Sequence, residues 1–288
     1  MHKTTNRVLT LRLMKRTYFH ISFLVVTIFA VIVSGCSDYS KVLKSTDTDL
    51  KWEFAQTALD SGDCFKALPL LEELIGVTRG TQMAQQVHYK YASAHYCVND
   101  FYLARYYFHN YAKTFPNSDL VEEVQFKAAI CSFNLSPNWS LDQTETRSAI
   151  QELQLFMDRY PASSLRDSSE TMINSLRSKL ERKSFEAAVI YHTTGQFHSA
   201  TIAMKNALAD FPDSPFREQL QFLILESYYQ YAVQSTNRRK LERFNDATQA
   251  FHTFASRFPD SSSLADAQHI YGQCVKAVET LELQETNN

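Results

Sequence analysis

Five cysteines and nine histidines are the side chains of this 288-residue sequence with the most chemistry open to them. A thiol can attack as thiolate, bind metal, pair with a second thiol or carry an acyl chain, and an imidazole can act as base or ligand. The histidines form no HExxH pattern and no cluster with cysteine or carboxylate at metal-ligand spacing. His88 and His95 are seven apart and can share a helix face, but nothing else stands in register with them, so they read as packing residues. Cys64, Cys97, Cys131 and Cys274 make an even set that an oxidising compartment could pair. Cys97 and Cys131 fall in helical stretches, however, and Cys131 takes a small, packed position, so buried thiols are expected. Phosphate chemistry is not provided for: there is no GxGxxG or GxxxxGK[ST] loop, and only six glycines in all. The chain reads as a non-enzyme without metal or cofactor.

Cys36 is the exception. Met14-Lys15-Arg16 precede an apolar stretch from Tyr18 to Val33, which ends in Val33-Ser34-Gly35-Cys36. That stretch is short against the roughly 20 residues of a membrane span and suits the apolar region of a signal peptide. Small residues immediately before a cysteine resemble the lipobox of bacterial lipoproteins. The resemblance implies cleavage before Cys36, a diacylglycerol on its thiol and an acyl group on the freed amine. Each buried CH₂ contributes about 0.8 kcal/mol, so several chains anchor a protein without a spanning helix. Met14 opens a more compact signal peptide than Met1 does, leaving two candidate starts. Ser37 follows the cysteine and Asp38 stands one place later, which favours outer-membrane sorting. Residues 1–35 are thus expected to be a signal peptide, and the polar residues 36–49 a lipidated tether.

The elements downstream are helices in tandem. An aromatic-proline pair followed by polar residues recurs as Phe115-Pro116-Asn117-Ser118, Tyr160-Pro161-Ala162-Ser163, Phe211-Pro212-Asp213-Ser214 and Phe258-Pro259-Asp260-Ser261. Proline stops one helix, and the Ser or Asp after it can start the next. Apolar residues three or four apart precede each proline, as in Ala104, Phe108 and Tyr111 before Pro116 or Ala247, Phe251 and Phe254 before Pro259. Ala67, Leu71 and Leu74 give an earlier copy ending at Gly76–Gly80. Gly62 and Gly195 mark turns inside hairpins. The pattern resembles the tetratricopeptide repeat, a helical hairpin of about 34 residues, from Leu50 to Ala277. The Pro-to-Pro spacings of 45, 51 and 47 are longer. They are accounted for by a connection at Asn134–Glu145, a long first helix over Asp167–Thr194, and a basic connection at Gln234–Arg243. The expected fold is an all-α solenoid of about five tetratricopeptide-like hairpins over 50–278, closed by a capping helix at Ala265–Val278 with Gly272 at its close-packing position. A polar tail, 279–288, follows.

Charge narrows the partners. Lys plus Arg number 29 and Asp plus Glu 31, for a net charge of −2, which argues against nucleic acid. In tetratricopeptide arrays the first helices line a groove. Here they would present Trp52, Gln56, Tyr89, Ser93 and Tyr96, an aromatic and polar set suited to an extended peptide. Arg238, Arg239, Lys240 and Arg243 could meet an acidic partner or lipid headgroups.

Cys36, a short tether and junctions at Pro116, Pro161, Pro212 and Pro259 together resemble the BamD family, lipoproteins of the outer-membrane β-barrel assembly machinery. That resemblance implies an outer-membrane anchor facing the periplasm, with C-terminal repeats docking on a BamA-like barrel subunit of the BAM complex. It also implies N-terminal repeats that help receive unfolded outer-membrane β-barrel proteins. The basic insertion and the aromatic-rich first helices depart from the shorter pattern of that family, so no contact is carried over by residue. Two other readings fit a lipidated repeat protein: a SusD-like nutrient-uptake lipoprotein, and a periplasmic scaffold for cell-wall or division enzymes.

Overall fold

The computed structural model describes residues 38–286; Cys36 and the expected signal peptide over 1–35 lie outside them. Every regular element among the described residues is helical. A helix over 38–44 (α1) comes first. It is followed by α2 (Thr48–Asp60), α3 (Cys64–Val77), α4 (Met83–Cys97), α5 (Phe101–Thr114) and α6 (Val121–Leu135). Then come α7 (Thr144–Arg159), α8 (Arg166–Thr193), α9 (Phe197–Asp210), α10 (Arg217–Val233), α11 (Asn237–Arg257) and α12 (Leu264–Thr286). In chain order α2–α11 supply the two helices of five successive repeats, and α12 follows as the cap. The fold is all-α and of the helical-repeat type. The chain divides into two compact units, one ending at Leu135 and the other beginning at Ser136.

The four proline junctions share one hydrogen-bonding scheme. Each aromatic caps the preceding helix: the N–H groups of Phe115, Tyr160, Phe211 and Phe258 donate to carbonyls four residues back at 2.8–3.0 Å. Each junction serine then accepts, on its hydroxyl, the N–H two residues on. Leu120 bonds Ser118 at 3.2 Å, Leu165 bonds Ser163 at 3.1 Å, Phe216 bonds Ser214 at 3.1 Å, and Ser263 bonds Ser261 at 3.0 Å. The serine is therefore a turn residue just ahead of the helix and not its N-cap, a place held by Leu165 in α8 and Phe216 in α10. The same short polar side chain serves either purpose because its hydroxyl reaches a backbone N–H two or three positions on.

In the first unit the core joins consecutive helices. Ala55, Leu70, Leu71, Leu74, Val87 and Tyr91 form one buried cluster, and Ala104, Phe108, Tyr111, Val124 and Cys131 another. Alanines at the contacts let helix backbones approach, and the aromatic rings fill the space beside them. Two expectations change here. The 36–49 tether is helical over 38–44, because Val42 is buried in the first cluster and Tyr39 packs on Phe54 with ring centroids 5.8 Å apart. Cys64 and Cys97, expected as buried thiols, form a disulfide with a Cα separation of 6.2 Å. The start of α3 and the end of α4 lie side by side, within ordinary bridging distance. Cys131 and Cys274 are buried thiols as expected.

In the second unit the connection 136–143 is tied down and does not hang as a loop. Gln143 is buried and donates to the carbonyls of Asn138 (2.8 Å) and Leu141 (3.0 Å), and Lys179 of α8 donates to the Ser136 hydroxyl at 2.9 Å. The long α8 matches its expected span within a residue at each end. Three expectations are revised. The basic stretch from Arg238 to Arg243 is no connection but the first two turns of α11, since Arg, Lys, Leu and Glu favour helix and Phe244 and Ala247 anchor the next turn in the core. The 279–288 tail is helical through Thr286 because Leu281 still packs against Ala232, Phe244 and Cys274. Gly272 is not a close-packing position, since a Cβ there would meet nothing within 4 Å.

Candidate functional site

The five groove candidates occupy two rows, Trp52 and Gln56 on α2 and Tyr89, Ser93 and Tyr96 on α4. Spacings of four and of four then three keep each row on one helix face. All three rings are half-buried and each packs partly against its neighbours. Trp52 is half-buried against the first core cluster, and Tyr96 packs edge-on to Phe101 at 5.6 Å. The Ser93 hydroxyl is buried with no hydrogen-bond partner.

Tyr89 is bound into a polar node that joins α4 to α6. Its hydroxyl donates to Glu123 at 2.7 Å and accepts from Lys127 at 2.6 Å. Lys127 also pairs with Glu123 at 2.8 Å and lies 4.7 Å from the Tyr89 ring centroid. Burial pushes the Tyr89 phenol up. Hydrogen bonds from Lys127 and then Tyr89 hold the Glu123 carboxyl below its ordinary value. Burial works against charge on Lys127, but its bonds to Glu123 and Tyr89 outweigh it and raise the ammonium. The triad is thus a half-exposed, charge-fixed patch on the first helices of two successive repeats. Glu123 and Lys127 were not among the sequence candidates, although their i, i+4 spacing on α6 is a visible signal of a side-chain pair.

His95 is 7% exposed and boxed by aromatic rings, edge-on to Tyr91 at 4.7 Å and stacked on Tyr107 at 5.2 Å. Its Nδ1 approaches Asp100 at 3.5 Å without hydrogen-bond alignment. Burial lowers its pKa against the opposing pull of Asp100 and Glu72. His88 packs edge-on to Phe115 at 5.4 Å. Both are packing residues, and among the described residues no group of three or more His, Cys, Asp or Glu could hold a metal ion.

In the second unit the four basic candidates have different surroundings. Arg238 is exposed, and Arg239 pairs with Glu242 at 2.7 Å. Lys240 is half-buried. Arg243 lies over the Tyr231 ring at 3.7 Å and donates to the Ser235 hydroxyl. Arg239 and Arg243 edge a cavity of about 350 Å³ between α9, α10 and α11, which His198, Lys205 and Asp246 also line. Lys205 donates to the Tyr228 hydroxyl at 2.6 Å. Burial first, and then Glu242, raise the Asp246 carboxyl. The cleft offers cations seated on aromatic rings beside carboxylates, a surface for a mixed polar and aromatic partner segment. His198, Lys205 and Tyr228 carry no sequence signal of this role, because they come from two helices that only packing brings together.

A family model described as "YfiO: Outer membrane lipoprotein" matches residues 45–243. Among curated proteins no relative matches the chain. Among solved structures it is similar to a TPR-repeat protein from Bacteroides fragilis, at 12% identity and a TM-score of 0.39, over 81% of this chain and 100% of that one. It is also similar to residues 1–338 of Acl4, the assembly chaperone of RpL4, at 13% identity and a TM-score of 0.25, over 83% of this chain and 99% of that one. At those scores neither likeness carries an argument about function. Among the described residues no helix is long and apolar enough to cross a membrane.

Proposed function

Because the chain belongs to the YfiO family of outer membrane lipoproteins, we propose that it is a lipid-anchored, periplasm-facing scaffold of the β-barrel assembly machinery. Cys36 carries the lipid. The repeats bind a BamA-like barrel subunit and other BAM components, and they receive unfolded outer-membrane β-barrel proteins for folding and insertion. The protein acts by binding and not by catalysis. The family match is the observation that carries this reading, since it runs from ahead of α2 into α11 and so spans the repeats. The Cys64–Cys97 disulfide supports it independently, because structural disulfides belong to oxidising compartments such as the periplasm.

Two surfaces suit the two classes of partner. The Tyr89–Glu123–Lys127 patch presents fixed charge of both signs beside half-buried aromatics, a setting for the backbone and side chains of an extended chain. The cleft edged by Arg239 and Arg243 suits a folded partner that offers carboxylates and apolar side chains. Affinity capture of the full-length protein from detergent-solubilised envelopes tests the reading. Recovery of a BamA-like subunit is expected. Recovery of a peptidoglycan enzyme or a nutrient transporter without it would overturn the assignment. Depletion is expected to lower many unrelated outer-membrane barrels together, which neither alternative role explains.

A further inference from the structure

Almost no chain separates the proposed lipid anchor from the folded first unit. Cys36 stands two residues before residue 38, where described helix α1 begins. A chain spans at most about 3.5 Å per residue, so the Cα of residue 38 lies within roughly 7 Å of that of Cys36. α1 is itself part of the fold. Val42 is 7% exposed in the core cluster with Ala55, Ala58 and Leu70, and Tyr39 packs on Phe54. The link to α2 is also ordered: the Ser45 N–H donates to the Val42 carbonyl at 3.1 Å, and Asp47 caps α2 by accepting from Asp49 and Leu50.

We infer that the α1 end of the first unit rests against the surface of the lipid bilayer, rather than floating in the periplasm on a flexible leash. This rests on the Cys36 lipidation proposed above. Reach dictates the occupant: a residue whose acyl chains are in the membrane cannot be 7 Å from a folded helix unless that helix is also at the membrane. The surface chemistry agrees. Leu43 and Leu50 are 39% and 42% exposed, apolar groups that an interfacial zone accepts. The charges there nearly cancel, with Lys41 and Lys44 against Asp38, Asp47 and Asp49, and Lys41 is already paired with Asp38 at 3.0 Å. Apposition is therefore set by the short reach and by apolar contact. It does not require anionic lipid and is insensitive to salt.

The test uses full-length, lipidated protein in phosphatidylcholine vesicles that carry a nitroxide on the lipid headgroup. A fluorophore is placed at Lys44→Cys or Leu50→Cys and its quenching is compared with that in a variant carrying about 20 Gly/Ser residues between Ser37 and Asp38. Such an insert has a root-mean-square span of about 25 Å. At least twofold stronger quenching without the insert is expected, at low and at high salt alike. Equal quenching in the two forms, with both bound to vesicles, would overturn the inference while leaving lipidation intact. Failure of both forms to sediment with vesicles, with no acyl mass on Cys36, would remove the anchor and the inference with it.

Discussion

Cys64 and Cys97 are joined by a disulfide that ties the first residue of α3 to the last residue of α4, 33 positions along the chain. The bond fastens the first hairpin to the second. Cys64 is a buried residue and Cys97 an exposed one, so the bridge links the packed interior of the first hairpin to the rim of the second.

Loop-closure entropy for that separation sets the expected effect of losing the bond at roughly 3–4 kcal/mol. Cys97→Ser is expected to lower the urea midpoint of the first unit accordingly, and reduction of the native protein to lower it by the same amount. A loss below about 1 kcal/mol in both would show that the bridge contributes little to stability.

The Tyr89–Glu123–Lys127 node makes first-unit stability depend on pH at both ends. Glu123 is held below its ordinary 4.5, so its contribution is present above that value and is lost as pH falls through the folded value. Lys127 is raised above 10.5, so its contribution is present below that value and is lost as pH rises through the folded one. Melting temperature measured against pH is expected to show shallower acid and alkaline limbs in Glu123→Gln, since the same carboxylate raises Lys127, and neither change in a variant lacking only an unrelated surface carboxylate. Tyr89→Phe removes two hydrogen bonds, each worth about 0.5–1.5 kcal/mol, with the lower figure apt for a half-exposed site.

Glycine substitutions should act with opposite signs. Gly62 has φ +79°, a conformation that costs an L-residue about 1 kcal/mol, so Gly62→Ala is expected to destabilise. Gly272 lies within α12 with no atom within 4 Å of an added Cβ, so Gly272→Ala is expected to stabilise by up to about 1 kcal/mol. Chemical denaturation of the two variants checks both signs, and a destabilised Gly272→Ala would restore a packing role for that position.

Burial pushes the Cys274 thiol up to about 11, which leaves almost no thiolate near neutral pH. A thiol reagent is expected to leave Cys274 unmodified in the native protein and to label it on denaturation. Labelling followed by peptide mass analysis separates the two states, and rapid native labelling would contradict the burial.

The aromatic-proline-Ser junctions and the apolar spacing before them determined the helical repeats, because helix periodicity and proline sterics are local properties that need no tertiary partner. That is why α8 was legible to within one residue at each end. Packing decided the remainder. Whether 36–49 is a tether depends on Val42 finding a core, and whether Arg238–Arg243 is a loop or a helix depends on Phe244 and Ala247 anchoring the turn beyond it. Cys64 and Cys97 look no different from Cys131 and Cys274 until α3 and α4 are laid side by side. The proposed binding surfaces are the least legible of all. Tyr89 was visible as a groove aromatic, but its partners Glu123 and Lys127 lie 34 and 38 residues away, and only the packing of α4 near α6 brings their charges to its hydroxyl.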